Sequence, residues 1–145
     1  MNEKIEIYKH IYKDSNMSVS SLKKLKEELK DKDNKIKNAL DDLISHFKEY
    51  EDYSKKVLKK CDSAPEEEGF FAKMMANMGI KKEAQADNSD SHMAEVLIQG
   101  IVMGSINMEK KISEYSGVLE AKDIKYAKKF LEYEQESIEK LKEYL

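Results

Sequence analysis

A single cysteine, a single proline, five glycines and no tryptophan occur among the 145 residues. Cys61 alone can form no intrachain disulfide, which excludes the stapled scaffolds of small secreted domains. One proline leaves long stretches free of helix breakers. Neither sign of charge dominates: 26 basic and 29 acidic residues are interspersed and leave a net charge of -3, so no basic footprint for nucleic acid is built. No apolar run reaches the length of a membrane span, and the opening Met1-Asn2-Glu3-Lys4-Ile5 is charged where a signal peptide is apolar. The expectation is one cytoplasmic domain, residues 1–145, that engages neither membrane nor nucleic acid.

Apolar residues at three- and four-residue spacing make up what is there, and that spacing puts them on one face of a helix. Tyr8, Ile11, Tyr12, Val19, Leu22, Leu25 and Leu29 predict a first helix over 4–29. Turn and cap residues at Asp31-Lys32-Asp33-Asn34 separate it from a second, over 33–61, carrying Ile36, Leu40, Leu43, Phe47, Tyr50 and Leu58. So short a joint predicts an antiparallel pair. Met93, Leu97, Ile101, Met108 and Ile112 predict a third helix over 90–116, and Ala127, Phe130, Leu131, Ile138 and Leu141 a fourth over 122–145.

Between the two hairpins, Ser63-Ala64-Pro65-Glu66 carries a capping-box pattern with an early proline. It predicts a short helix over 64–78, with Gly79 as its C-terminal cap. Phe70, Phe71, Met74, Met75 and Met78 make this segment too apolar for a solvated linker. The third helix is apolar on its back face as well, at Val96, Val102, Met103 and Ile106, so the segment is expected to cover that face unless a homodimer does. The fold class expected is all-α: a four-helix bundle with ferritin-like topology, in which one long crossover carries a short extra helix and the first and fourth helices run parallel.

At Met78-Gly79-Ile80-Lys81-Lys82, Ser91-His92-Met93-Ala94-Glu95-Val96-Leu97-Ile98-Gln99-Gly100, Met103-Gly104 and Phe130-Leu131-Glu132-Tyr133-Glu134-Gln135, the sequence resembles an uncharacterised family of bacterial four-helix proteins from anaerobic Firmicutes. The resemblance implies a ferritin-like bundle and brings no catalytic residues with it.

A ferritin-like di-metal centre needs Glu-x-x-His on two of its helices, and this spacing occurs nowhere in the chain. No catalytic residue and no cofactor is expected. Glu134 is the anomaly, because it lies near the middle of the fourth helix's apolar stripe, where a carboxylate must be paired, hydrogen-bonded or protonated. Helix heights place Tyr12, Ser15, Tyr50 and Ser105 near its level, and hydroxyls around one acid would make a satisfied buried polar layer. The functional alternative puts a cation or small ligand beside Glu134, where Gly100 and Gly104 leave room, with Asp14, Glu51, Glu109 or His46 assisting if a metal is held. Protein interaction or self-association is the expected mode of action, and a metal-binding or redox role for Glu134 and the boundary carboxylates is the competing one.

Overall fold

A computed structural model of the protein describes the backbone of residues 2–63 and 70–145, with the side chains of all of these except 70–75. The described residues contain five helices and no strand: α1 (Asn2–Glu28), α2 (Lys37–Lys60), α3 (Phe70–Ala86), α4 (Asp90–Tyr115) and α5 (Ala121–Lys142). None is long and apolar enough to cross a membrane. The expected helix start beyond Ser63, at Ala64 to Glu66, and the expected packing of the Phe70, Phe71, Met74 and Met75 side chains fall outside what is described.

α1 is the hub and touches all four other helices. Its face of Ile7, Tyr8, Ile11, Tyr12, Val19, Leu22 and Leu25 is buried, and each buried aliphatic or aromatic side chain contributes roughly 1.5–3 kcal/mol. Cross-helix pairs give the directions. Lys26 Nζ meets Asp41 Oδ1 at 2.6 Å, Asn16 Nδ2 donates to Glu51 Oε1 at 3.3 Å, and the Tyr8 and Tyr53 rings lie 6.3 Å apart. As α1 positions fall, α2 positions rise, so these two are antiparallel. α5 runs with α1: the Tyr8 hydroxyl donates to Asp123 Oδ1 at 2.8 Å, and farther along Asp14 meets Glu134.

The second helix starts later than its turn residues suggest, at Lys37 rather than near 33. Asp90, in the first turn of α4, supplies the reason. Its carboxylate accepts from Asn34 Nδ2 at 3.0 Å and from the backbone N–H groups of Lys35 and Ile36 at 3.1 and 3.2 Å, taking up donors that open a helix without a partner of their own. α4 itself is capped by Ser89, whose Oγ accepts from the His92 N–H at 3.2 Å. The same cluster sets the starts of α2 and α4 side by side at one end, so these helices run in one direction and oppose α1 and α5.

α2 ends in a left-handed turn without glycine. Asp62 takes φ 54, while the Ser63 N–H returns to the Leu58 carbonyl at 2.9 Å and the Asp62 N–H to that of Lys59 at 3.1 Å. This is a Schellman closure, with aspartate where glycine is usual.

The crossover departs from expectation. Gly79 lies inside α3, which continues to Ala86, so it caps nothing. α3 packs chiefly along α1 and only slightly on α4, with Ser20 Oγ 3.4 Å from Asn77 Oδ1. The back face of α4 is therefore uncovered along its middle: Met103 is 68% exposed and Ile106 46%, while Met78 of the expected lid is 47% exposed.

Candidate functional site

Glu134 is buried to 1% exposure, as the apolar stripe around it requires. A second acid lies against it. The Glu134 carboxyl shares a hydrogen bond with Asp14 of α1, and burial together with that negative neighbour pushes it far above the usual carboxylate range. Two carboxyl groups can share a hydrogen bond only when one of them is protonated. Glu134, in the drier position, is the protonated member and donates to Asp14. Each acid also leaves one oxygen, Glu134 Oε1 and Asp14 Oδ2, buried without a hydrogen-bond partner.

Three of the hydroxyls expected around Glu134 are engaged with backbone carbonyls. Ser15 Oγ donates to Ile11 O at 2.6 Å, Ser105 Oγ to Val102 O at 2.8 Å, and the Tyr50 hydroxyl reaches Lys129 O at 3.5 Å. A serine in mid-helix commonly bonds back one turn in this way. Tyr12 is fully buried on the same face of α1.

Gly104 makes the acid pair possible. A Cβ at this position would lie 2.6 Å from Asp14 Oδ1 and 2.8 Å from its Cγ, whereas a Cβ at Gly100 would meet nothing within 4 Å. Alanine raises intrinsic helix stability over glycine by roughly 0.8–1 kcal/mol, while forcing an atom into occupied space costs about 1–3 kcal/mol. Gly100→Ala is therefore expected to stabilise the fold by about 0.5–1 kcal/mol, and Gly104→Ala to destabilise it by about 1 kcal/mol, on those same terms. Urea denaturation of the two variants would read the opposite signs directly.

His10 completes the cluster one turn before Asp14, a position the sequence reading missed. Desolvation lowers its basicity, against the Asp14 charge and the Gly104 carbonyl beside it, and Nε2 is buried without a partner. The only sequence signal was the four-residue spacing of His10 and Asp14 on one helix.

The other metal candidates are dispersed. Glu51 is held by Asn16 and Lys48, each at 3.3 Å, on the α1–α2 side. Glu109 is exposed on α4. His46 Nδ1 lies 2.9 Å from the Asp42 carbonyl, and its ring stacks on Tyr133 at 5.1 Å. Among the described residues no three His, Cys, Asp or Glu side chains converge to hold a metal ion. Of the five candidates, only Glu134 and Asp14 are brought together.

A cavity of about 140 Å³ opens beside Asp14 between α1, α3 and α4, its walls including Met17, Ser18, Ile80, Val96 and Gly100. A larger hollow of about 690 Å³, along Ile124, Lys125, Lys128 and Lys129, is a shallow surface depression with no buried polar atom aimed into it. A separate buried acid, Asp123, is 3% exposed and held by the Tyr8 hydroxyl, with Lys4 Nζ at 3.8 Å. Near it Tyr8, Tyr50, Tyr53 and Tyr126 pack ring against ring between α1, α2 and α5. Burial pushes the Tyr50 and Tyr133 hydroxyls up to about 12, which keeps both neutral. Comparison with protein-family models, curated proteins and solved structures finds no match.

Proposed function

We propose that this chain is a non-enzymatic, ferritin-like four-helix bundle without a di-metal centre, acting in the cytoplasm through self-association along α4. The ferritin-like part is supported by the helix directions, with α2 and α4 opposing α1 and α5 and α3 carried in the crossover. The observation that carries the self-association is the uncovered strip at the middle of α4, where Val102 is half-buried, Met103 68% exposed and Ile106 46% exposed. Large apolar side chains grouped on one helix face favour a partner.

A second copy of the chain fits that strip. Glu95, Gln99, Val102, Met103, Ile106 and Lys110 fall within about 100° of one another on the helical wheel. In an antiparallel pair of α4 helices centred between Val102 and Met103, each Val102 faces Met103 of the other copy, and each Gln99 faces Ile106. Glu95 and Lys110 lie equally far from that centre and carry opposite charges, so both ends of the contact are ion-paired by one two-fold operation. Such an interface is self-complementary.

Sedimentation velocity tests the reading. The wild type is expected to dimerise with a dissociation constant on the order of micromolar, and Met103→Glu to be monomeric across that range. Glu95→Lys should weaken the dimer and Glu95→Lys/Lys110→Glu restore it. A wild type that stays monomeric at high concentration removes the proposal.

A further inference from the structure

We propose that Tyr53, Tyr126 and Tyr8 form a relay through which the protein gives one electron to a small oxidising radical at its surface and holds the resulting tyrosyl radical at Tyr8. The chain contains no tryptophan, so tyrosine is the ring from which an electron is most readily taken. Tyr53 is 45% exposed on α2, Tyr126 is half-buried on α5, and Tyr8 is 1% exposed on α1. The three rings stand in series from solvent to core. Between centroids, Tyr53 lies 4.3 Å from Tyr126, and Tyr126 stacks at 6.0 Å on Tyr8. Electron exchange falls steeply with distance, and rings this close pass a vacancy inward.

The proton decides where the vacancy stops. A phenol that has lost an electron is a strong acid, and without a base beside it the positive charge would stay in the dry interior, where it is strongly disfavoured. Tyr8 has that base in place, since its hydroxyl donates to Asp123 Oδ1 at 2.8 Å. Asp123 lies in the first turn of α5 with Lys4 Nζ at 3.8 Å, surroundings that favour a carboxylate. The rings next in line have no such partner: the Tyr50 hydroxyl reaches the Lys129 carbonyl at 3.5 Å, and the Tyr133 hydroxyl is buried with no hydrogen bond. In the resting protein, burial and the Asp123 charge hold the Tyr8 phenol far above its ordinary range, so the proton leaves only together with the electron. The electron passes from Tyr8 through Tyr126 and Tyr53 to the oxidising radical, which is reduced to its anion. The proton moves from the Tyr8 oxygen to Asp123, leaving a neutral phenoxyl radical beside a neutral carboxylic acid, and no bond between heavy atoms forms or breaks.

The relay lies between α1, α2 and α5, away from the α4 contact proposed above, so either can fail alone. Pulse radiolysis of the full chain with azide radical as the oxidant, following tyrosyl absorbance, tests it. Radicals left on surface rings meet one another and decay faster as protein concentration rises, joining chains through dityrosine. A radical held at Tyr8 cannot meet another, and the wild type is expected to show a long-lived fraction whose decay is independent of concentration. Tyr8→Phe, which removes the hydroxyl alone, and Asp123→Asn, which keeps the shape but takes no proton, should each lose that fraction. Tyr53→Phe, at the exposed entry, should lower its yield severalfold, while Cys61→Ser, which removes the thiol, should leave it unchanged. Wild-type decay that quickens throughout with concentration, or a long-lived fraction that survives in Tyr8→Phe or Asp123→Asn, would overturn the proposal. So would an unaltered yield in Tyr53→Phe, a loss in Cys61→Ser, or a dityrosine bond between Tyr53 and Tyr126. The concentration dependence is read on wild-type protein and holds even where a variant does not fold.

Discussion

Phe130→Ala is expected to lower the unfolding free energy by about 4 kcal/mol, the middle of the range for truncating a buried aromatic. Phe130 is fully buried on α5 and meets two rings of α2, Tyr50 edge-on at 4.9 Å and Phe47 at 6.3 Å. Two effects add. Removal of the ring leaves a cavity that these rigid neighbours cannot collapse into, and it deletes two aromatic pairs, each contributing about 0.5–1.5 kcal/mol beyond its buried area. The loss is a large fraction of the 5–15 kcal/mol typical of a domain. The urea midpoint should therefore drop sharply with little change in slope. Phe130→Leu, which keeps most of the volume, should lose less than half as much, and an equal loss in both variants would mean that the ring geometry rather than the volume carries the stability.

Phe130 and Phe47 belong to what periodicity reveals. Apolar residues recurring every three or four positions placed both on inward faces, and the same pattern located α1, α2, α4 and α5 to within a few residues. Local signals were weaker where the deciding partner lies far along the chain. The start of α2 depends on Asp90, more than fifty residues away, and no pattern near Asn34 announces it. α3 could be recognised as apolar, and its expected place over the back face of α4 rested on bulk alone. Its bulk satisfied the need for a cover on paper, yet the helix lies along α1 and leaves Met103 and Ile106 open.

The buried acid shows the same division. Helical spacing alone put Glu134 inside and set it at the level of Ser15 and Gly104. Which group met it turned on the difference between Ser15 and the adjacent Asp14, a rotation of about 100° around α1. At the edge of an apolar stripe that rotation separates solvent from core. The empty side of Gly104 settled it, since only a residue without Cβ lets the Asp14 carboxylate come against α4. His10 and Asp123 escaped notice because each lies where helix faces converge, and convergence is a property of packing rather than of one helix's pattern.

Glu134→Gln is expected to raise stability at pH 7 by about 3 kcal/mol and to flatten its pH dependence. The sign follows from the protonation states. In the unfolded chain Glu134 ionises near its ordinary value of 4.5, while in the folded protein burial and Asp14 hold it neutral far above that. Folding at neutral pH therefore takes up a proton, and each pH unit above 4.5 removes about 1.4 kcal/mol from stability until the folded-state value is reached. The contribution is complete below pH 4.5 and shrinks as pH rises. Glutamine has the same shape, is neutral at every pH, and its side-chain N–H can donate to Asp14 as the protonated acid does. Urea denaturation from pH 4.5 to 8 should give curves for wild type and variant that coincide at the acid end and separate steadily toward the alkaline end. Glu134→Ala is expected to share the flattened profile but lie below wild type at pH 4.5, because it loses both the hydrogen bond and the volume. Parallel profiles for wild type and Glu134→Gln would show instead that the folded protein carries Glu134 ionised, with a donor or cation at Asp14 in place of the shared proton.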